Sequence, residues 1–240
     1  MNIEEVIPQD VKFSRLVKLN TVCWEGVPSC EVHLAGCNFR CPFCTSGEDL
    51  DYRGSDITED DLMDFISGND SIDGVIITGG EPLVHADLYK FLGRIKKAGK
   101  KVRLHTNGSF PDRLDDVLGA GLVDFVSMSI KAPLKADEYA MTTYAIVNVE
   151  DIERSIHIVM DSGVDYEFAT TVVPIHITEK DVESICASIK GAECYRLRQF
   201  RPGRCVDSTL NQIDPYKEKV LRSMESTARR YVKHVKVSGF

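Results

Sequence analysis

The chain has 240 residues, of which 43% are hydrophobic and 28% are charged, and both fractions are typical of a soluble globular protein. Its formal net charge of −8 argues against wholesale nucleic-acid binding. No stretch has the apolar length of a membrane span, and residues 1–20 lack the apolar run of a secretory signal peptide. We therefore expect a cytoplasmic protein that binds neither nucleic acid nor membranes.

Short apolar runs alternate with amphipathic stretches along the chain. Strands are predicted at Arg15–Thr21, Cys30–Ala35, Gly74–Thr78, Lys101–His105, Phe125–Ile130, Asp165–Thr171, Cys194–Phe200 and Val232–Val237. Helices are predicted at Glu59–Ser67, Ala86–Ala98, Arg113–Ala120, Val149–Asp161, Thr178–Lys190 and Pro215–Tyr231. Strands that alternate with helices favour a parallel sheet with right-handed crossovers, and chemistry gathers at the carboxyl ends of such strands.

This alternation predicts the α/β class, as a partial (β/α)6 TIM-like barrel. We expect a single domain over residues 1–240, with its core at about residues 30–231 and an extra N-terminal strand. An open doubly wound sheet is the alternative.

Eight cysteines are many for a reducing compartment, where clustered cysteines indicate metal binding or catalysis rather than disulfides. Cys37, Cys41 and Cys44 form a tight C-x3-C-x2-C cluster directly after a predicted strand. The others are dispersed, and we expect mostly buried thiols that form no disulfide: Cys23, Cys30, Cys186, Cys194 and Cys205. A supporting role for Cys205 in the site is an alternative.

Three close thiolates suit an iron–sulfur cluster, and a cubane held by three cysteines leaves one iron open to a substrate or cofactor. A structural zinc ion needs four ligands, for which Cys30 and His33 are the nearest further candidates. Three thiols without a metal are the remaining alternative.

The cysteine spacing, with Phe43 just before the third cysteine, resembles the signature of radical S-adenosylmethionine (SAM) enzymes. The resemblance implies that Cys37, Cys41 and Cys44 hold a [4Fe–4S] cluster whose fourth iron binds the methionine moiety of SAM. It also implies that Phe43 packs near the adenine. One electron from the cluster would then cleave a carbon–sulfur bond and release a 5′-deoxyadenosyl radical.

A second motif, Gly79-Gly80-Glu81-Pro82, ends a predicted apolar strand and matches the GGEP element of the same family. Glycines let the backbone approach a ligand closely, and Glu81 could assist an ammonium group. By itself the segment could be an ordinary turn with Glu81 near a helix N-terminus. In register with the cysteines, it is expected to bind the cofactor.

Later strand ends supply further candidates for binding SAM. Thr106 and Asn107 lie in a T-N-G element like that of the family and could hold a ribose hydroxyl, although Asn-Gly also favours a plain turn. Lys131 resembles the family lysine near the cofactor carboxylate, or makes a surface ion pair. His105 and Ser129 stand where relatives carry the aspartates that in some cases bind a monovalent cation, and Ser129 could reach the ribose.

The last candidates follow the predicted strands Asp165–Thr171 and Cys194–Phe200. Thr171 is expected to face the site, and alternation places Gln199 and Arg201 on the same face as Leu197. If that face lines a barrel, both reach the cofactor or a substrate. The alternatives for this arginine-rich segment are a solvated patch and a docking site for an acidic partner.

Over nearly its whole length the chain resembles the activating protein of anaerobic ribonucleoside-triphosphate reductase, most clearly in residues 121–133, 165–174 and 198–202. The resemblance implies an oxidoreductase that installs a glycyl radical on that reductase and receives electrons from flavodoxin or ferredoxin. No catalytic residue is expected beyond the cluster and SAM. The alternatives are a small-molecule enzyme of the 7-carboxy-7-deazaguanine synthase type and a non-enzymatic iron–sulfur electron carrier.

Overall fold

The computed structural model describes residues 10–239. Of residues 1–20, which lack a signal-peptide pattern, the first nine therefore lie outside the described residues. The strands are β1 (Phe13–Asn20), β2 (Ser29–Leu34), β3 (Gly74–Gly79), β4 (Lys101–Thr106), β5 (Phe125–Ser129), β6 (Asp165–Val172), β7 (Cys194–Gln199) and β8 (His234–Ser238). The helices are α1 (Glu59–Ser67), α2 (Leu88–Lys97), α3 (Pro111–Gly119), α4 (Ala136–Thr143), α5 (Val149–Asp161), α6 (Glu179–Ser188) and α7 (Glu218–Ala228).

The strands are hydrogen-bonded in chain order from β1 to β8. A doubly wound sheet reverses its strand order at a switch point, so this order agrees with the barrel type of connection and not with the alternative. The α/β class is therefore confirmed. No helix among residues 10–239 is long and apolar enough to cross a membrane.

Residues 10–239 form two compact units, and the single-domain expectation stays a prediction. The described residues of unit 1 are 10–38, 48–106 and 112–126. Here β1 pairs antiparallel with β2, as the expected extra strand, while β2, β3 and β4 run parallel. The i, i+3, i+4, i+7 pattern of α2 is confirmed, since its four apolar residues are all buried: Leu88, Phe91, Leu92 and Ile95.

Unit 2 contains residues 39–47, 107–111 and 127–239 as described. Its strands β6, β7 and β8 run parallel. Thr178 and Asp181 form the predicted capping box at the start of α6, with each side chain bonded to the other's backbone N–H.

Helix α4 was not predicted. Its segment holds two large apolar residues, Tyr139 and Met141, and their spacing of two places one in the core and the other in solvent. Helix α7 begins at Glu218 and not at Pro215, because the chain before it is extended and the carbonyl of Tyr216 accepts a hydrogen bond from Gln199.

Candidate functional site

In unit 1 the first cysteine follows a sharp turn at the carboxyl end of β2. Gly36 has a φ of +98°, a conformation that glycine adopts without steric cost. Its N–H donates to the carbonyl of Asp49 at 2.8 Å, and the N–H of Cys37 donates to that of Leu50 at 3.3 Å. The long loop after β2 therefore folds back and fixes the backbone of Cys37.

The glycine-rich motif after β3 is bonded to this same turn. The N–H of Gly80 donates to the carbonyl of Leu34 at 2.9 Å, and the N–H of Glu81 donates to that of Gly36 at 2.8 Å. A Cβ atom on Gly80 would lie 2.0 Å from the carbonyl oxygen of Gly36. Gly80 thus permits a close approach to protein backbone, and the approach of these glycines to a ligand stays a prediction.

Glu81 is buried, and its carboxylate holds neighbouring segments together. Oε1 accepts hydrogen bonds from the Thr106 hydroxyl at 2.7 Å and from the N–H of Leu83 at 3.1 Å. Pro82 begins the short 3₁₀ turn Pro82–Val84 that Glu81 caps. Thr106, a predicted ribose ligand, therefore contacts Glu81 through its hydroxyl.

A buried pair supports the turn before Cys37, and the sequence did not reveal it. His33 Nδ1 lies 3.1 Å from Asp49 Oδ2, and the Ser14 hydroxyl donates to Asp49 Oδ1 at 2.5 Å. Burial disfavours the imidazolium, but hydrogen bonds to Asp49 and Glu31 outweigh it, so the pKa of His33 is raised. Burial likewise disfavours the Asp49 carboxylate, yet bonds from His33 and Ser14 lower its pKa. Both ring nitrogens of His33 contact carboxylates, so His33 is not available as a fourth ligand for the zinc ion that the sequence left as an alternative.

His105, which replaces a family aspartate, contacts other protein groups at the end of β4. Nδ1 lies 3.1 Å from the Thr78 hydroxyl, and Arg103 Nε donates to Nε2 at 3.1 Å. Both ring nitrogens of His105 therefore have protein partners, Thr78 and Arg103.

In unit 2 the loop with the second and third cysteines packs on α4. The N–H of Arg40 donates to the Thr143 carbonyl at 2.8 Å, and the Phe39 ring meets that of Tyr139 edge-on at 6.4 Å. The N–H of Cys44 donates to the carbonyl of Cys41 at 3.0 Å, so one tight turn carries both thiols.

Lys131 lies near this turn. Burial raises the pKa of the Cys41 thiol, and the Lys131 ammonium opposes that rise, which places its charge within electrostatic range of the thiol. The backbone N–H of Lys131 donates to the hydroxyl of Tyr139 at 3.1 Å. Tyr139 is fully buried and thus connects the cysteine loop to the end of β5. Its helix was not predicted, so this role was missed as well.

A cavity of about 380 Å³ in unit 2 brings together four predicted cofactor ligands. They are Phe43, Thr171, Gln199 and Arg201, and the remaining wall is formed by Thr45, Arg198, Phe200, Ser238 and Gly239. The Phe43 ring lies 6.1 Å from that of His176. These four residues line one concave surface, to which the end of β8 also contributes, and their binding of SAM stays a prediction.

Gln199 has an orientation that its neighbours determine. Its Nε2 donates to the carbonyl of Tyr216 at 2.6 Å, and a carbonyl only accepts, so the nitrogen must face it. Oε1 is left buried without a hydrogen-bond partner among residues 10–239. A buried acceptor of this kind in a cavity wall fits a ligand that carries an N–H group.

Two of the four arginines near β7 belong to an ion-pair network instead of a solvated patch. Arg196 Nη2 lies 2.8 Å from Oε2 of buried Glu167, and Arg198 Nη2 lies 3.6 Å from Oε1. Arg198 also donates to the Ser127 hydroxyl at 3.2 Å. Because Arg198 lines the cavity as well, the strand face opposite Leu197 also reaches the predicted site.

Asn107 and Ser129 do not line this cavity, and their contact with the ribose stays a prediction. Asn107 is buried, and its Oδ1 accepts from the N–H and the hydroxyl of Ser109, at 2.9 Å and 2.5 Å. These two contacts are those of the turn that Asn-Gly favours. Ser129 is half-buried at the end of β5.

The dispersed cysteines are only partly as expected. None of the eight cysteines is in a disulfide. Cys30 and Cys186 are buried, and burial raises the pKa of each thiol to about 12. Cys23 is exposed and Cys194 half-buried, so the expectation of burial is wrong for these two, because one lies in the β1–β2 connection and the other begins β7.

Cys205 is buried, and its segment lies on the cysteine loop. The N–H of Val206 donates to the carbonyl of Cys44 at 3.0 Å, and that of Asp207 donates to the carbonyl of Pro42 at 2.9 Å. Burial raises the pKa of the Cys205 thiol, and the neighbouring Cys44 raises it further. Val206 and Asp207 thus hold Cys205 next to a predicted cluster ligand.

The sequence model of the Radical SAM superfamily matches residues 32–189, about two thirds of the chain. The chain belongs to the radical SAM superfamily. Its cofactors are accordingly a [4Fe–4S] cluster and SAM.

Two named relatives of this radical SAM protein differ in activity. A Methanocaldococcus jannaschii protein named as a glycyl-radical enzyme activating enzyme is 27% identical over 230 residues, which cover 92% of this chain and 93% of the relative. A 7-carboxy-7-deazaguanine synthase from Koribacter versatilis is 30% identical over 166 residues, which cover 69% of this chain and 70% of the relative.

The solved structure of Streptococcus suis SuiB matches 89% of this radical SAM chain with a TM-score of 0.65 and 14% identity. This chain spans about half of SuiB, 48% of its length. At this identity the match shows the fold alone, and it confirms the predicted TIM-like class.

The donor chemistry of the cysteine loop fits the cluster of a radical SAM enzyme. Among residues 10–239 no three His, Cys, Asp or Glu side chains are grouped as the ligands of one metal ion. A cubane has a different requirement, since each cysteine binds a separate iron of the cluster. In unit 1 the N–H of Cys37 is bonded to the carbonyl of Leu50, and in unit 2 the N–H of Cys44 is bonded to the carbonyl of Cys41, so the backbone at these cysteines of the C-x3-C-x2-C segment is held within each unit.

Proposed function

We propose that this radical SAM enzyme is an activase that installs a glycyl radical on a partner enzyme, anaerobic ribonucleoside-triphosphate reductase. In this proposal Cys37, Cys41 and Cys44 ligate the cluster, and flavodoxin or ferredoxin supplies the electron. The cluster and SAM together supply a 5′-deoxyadenosyl radical. The observation that carries the proposal is the match to the Methanocaldococcus jannaschii relative named as an activating enzyme. That match covers 92% of this chain and 93% of the relative.

The cavity of unit 2 supports SAM binding by the predicted residues. Phe43 offers an aromatic face to the adenine, and the unpartnered Oε1 of Gln199 offers an acceptor to its amino group. The Thr171 hydroxyl and the guanidinium of Arg201 line the same space and can bind polar parts of SAM. Lys131, near Cys41, carries the positive charge that a carboxylate requires.

The residues of unit 1 have a supporting part in this proposal. Gly79 ends β3 with a φ of +105°, and Gly80 and Glu81 follow with their N–H groups bonded to Leu34 and Gly36. Glu81, Pro82 and the Thr106 hydroxyl therefore fix the backbone that carries Cys37, and the exposed edge of this backbone is proposed to bind the amino group of SAM. Asn107 and Ser129 are proposed to complete the ribose contacts.

An exposed apolar segment beside the cysteine loop favours a protein as the substrate. Met141, Tyr144 and Ile146 are 69%, 61% and 103% exposed. This segment is continuous with Thr143, whose carbonyl accepts the N–H of Arg40 in the cysteine loop. Exposed large apolar side chains are a mark of protein interaction sites when several occur together.

The second candidate is a small-molecule enzyme of the 7-carboxy-7-deazaguanine synthase type. The observation that favours it is the Koribacter versatilis relative, which is 30% identical but matches only 69% of this chain. A small substrate requires no exposed apolar surface beside the cysteine loop. The non-enzymatic electron carrier does not agree with membership of an enzyme superfamily.

Anaerobic reconstitution with iron, sulfide, SAM and a strong reductant tests the proposal. We expect 5′-deoxyadenosine from the enzyme alone and a glycyl radical signal by electron paramagnetic resonance after addition of the reductase. Cys41→Ala should abolish cluster assembly, whereas Cys23→Ala, at an exposed position outside the motif, should retain it. No 5′-deoxyadenosine would contradict the radical SAM activity. Turnover of a purine precursor without a partner protein would favour the second candidate.

A further inference from the structure

The loop at residues 203–207 is a rigid support for one cysteine. Asn211 Oδ1 accepts the N–H of Gly203 at 2.8 Å and that of Cys205 at 3.4 Å. The Asp207 carboxylate caps the 3₁₀ turn Ser208–Gln212 by accepting from the N–H of Thr209 at 2.9 Å. These side-chain bonds fix the backbone on both sides of Cys205, so its position does not depend on the thiol itself.

Backbone hydrogen bonds join the segment that carries Cys205 to the segment that carries Cys44. The N–H of Val206 reaches the carbonyl of Cys44 at 3.0 Å, and each of these atoms is two bonds from a cysteine Cα. Covalent geometry therefore keeps the two Cα atoms within about 8 Å of each other. A second bond, from Asp207 to the carbonyl of Pro42, prevents the two segments from sliding. Disulfides span Cα distances of about 4.4–6.8 Å, which overlaps this range.

No other dispersed cysteine has this relationship to the predicted ligands. Cys186 is in the last turn of α6 and Cys194 begins β7, and no backbone hydrogen bond described for residues 10–239 joins either segment to the cysteine loop. Cys23 and Cys30 belong to the β1–β2 region of unit 1. Among the dispersed cysteines, this relationship to Cys44 is therefore specific to Cys205, and Cys41, which shares a tight turn with Cys44, is the competing partner that the experiment distinguishes.

We propose that Cys44 and Cys205 form a reversible disulfide when the cluster is absent, with a low-molecular-weight disulfide as the oxidant. Each thiol loses one proton and one electron, the S–S bond between the cysteines forms, and the S–S bond of the oxidant breaks to give two thiols. This bond protects Cys44 from irreversible oxidation to the sulfinic and sulfonic acids. Its reduction restores Cys44 as a ligand for a new cluster.

The protective role of the disulfide rests on the proposed function, in which Cys44 is a cluster ligand. The formation of the disulfide depends only on the proximity of Cys44 and Cys205. In the cluster-loaded enzyme the Cys44 sulfur is bound to iron and is not available for exchange. The disulfide is therefore expected in the cluster-free full-length chain and not in the loaded one. This difference gives the experiment a readout other than enzyme activity.

Peptide mapping tests the proposal directly on the wild-type chain. The cluster-free and cluster-loaded proteins are incubated anaerobically with oxidised glutathione, alkylated and digested with trypsin. We expect peptide 41–53 joined to peptide 205–217 as the main cross-link of the cluster-free protein, with fragmentation assigning the bond to Cys44. Absence of this pair, a bond to Cys41 instead, or an equal yield from the loaded protein would each overturn the proposal.

A matched pair of variants tests the protective role. After oxidised glutathione to form the disulfide, then hydrogen peroxide, which oxidises free thiolates to sulfinic acid, then reducing agent and reconstitution, Cys205→Ser should regain several-fold less cluster iron per chain than wild type and contain more sulfinic acid at Cys44. Cys23→Ser, which removes an exposed thiol of unit 1, should regain cluster iron like wild type. Equal recovery in both variants would contradict protection. A loaded enzyme that produces no 5′-deoxyadenosine but still shows the cross-link when cluster-free would contradict the proposed function alone.

Discussion

The N–H of Glu81 donates to the carbonyl oxygen of Gly36 at 2.8 Å, so the glycine-rich motif and the turn before the first cysteine share a backbone hydrogen bond. The two motifs are distant in sequence, but the parallel pairing of β2 with β3 ends with Leu34 opposite Gly79. The register of two strands therefore places both motifs at one edge of the sheet. A radical SAM enzyme needs this edge to be rigid, because the cluster and SAM must be held in contact.

Gly80→Ala should disrupt this contact. The added Cβ would lie 2.0 Å from the Gly36 carbonyl, and neither backbone can move without breaking the bonds to Leu34 and Asp49. We expect a loss of about 3 kcal/mol in the free energy of unfolding, measured by urea denaturation, and a lower iron content after reconstitution.

Gly93→Ala provides the matched control for that substitution. Gly93 is inside α2, and a Cβ there meets no atom within 4 Å. Alanine favours the helix over glycine by about 0.5–1 kcal/mol, so this variant should be more stable than wild type. Equal stability of the two variants would show that the contact at Gly80 does not determine the structure of the turn.

Protonation of His33 should make stability depend on pH in a defined direction. The folded pKa of His33 is raised by its bonds to Asp49 and Glu31, so its contribution is fully present below the unfolded pKa of about 6.5 and is lost as pH rises through the folded value. The pKa of Asp49 is lowered, so the pH dependence of its contribution to stability is opposite to that of His33. The contribution of Asp49 is lost only as pH falls through its lowered pKa. We expect the pair to stabilise most in mildly acidic solution.

The variant His33→Gln tests this dependence through the free energy of unfolding at several pH values. The free energy of unfolding of wild type should exceed that of the variant by about 1–3 kcal/mol near pH 5. The difference should decrease as pH rises through the folded pKa of His33. His157→Gln, at an exposed position on α5, should show no such trend. A difference that grows toward alkaline pH would contradict the pairing of His33 with Asp49.

Tyr139→Phe should weaken the link between the cysteine loop and Lys131. The variant keeps the ring that packs on Phe39 but leaves the Lys131 N–H without the hydroxyl that accepts it at 3.1 Å. We expect a loss of about 1–2 kcal/mol in stability and several-fold weaker SAM binding by isothermal titration calorimetry. Tyr144→Phe, which changes an exposed ring, should alter neither quantity; equal effects of the two variants would refute the role of the Tyr139 hydroxyl.

The sequence predicted the strand ends well because apolar runs and glycines mark them directly. Thr171, Gln199 and Arg201 are predicted from strand ends, and Phe43 from its place before the third cysteine of the family signature; all four line one cavity. Tyr139 could not be found, since its helix has no continuous apolar stripe. Asp49 could not be found either, because its position depends on the path of an irregular loop, and local sequence does not specify where such a loop packs. For the same reason the sequence indicated a supporting role for Cys205 only as an alternative.

The exposed segment after α4 gives the prediction that best separates the two candidate functions. Met141→Gln combined with Ile146→Gln should lower the glycyl radical yield several-fold at a fixed concentration of the reductase, because both side chains are exposed beside the cysteine loop. The same variant should release 5′-deoxyadenosine at the wild-type rate in the absence of the partner. Val22→Gln is the control, because Val22 is 86% exposed but precedes β2, at the strand end opposite Cys37. An unchanged radical yield in the double variant would exclude this surface as the docking site for the partner, whereas slower cofactor cleavage without the partner would indicate damage to the SAM site itself.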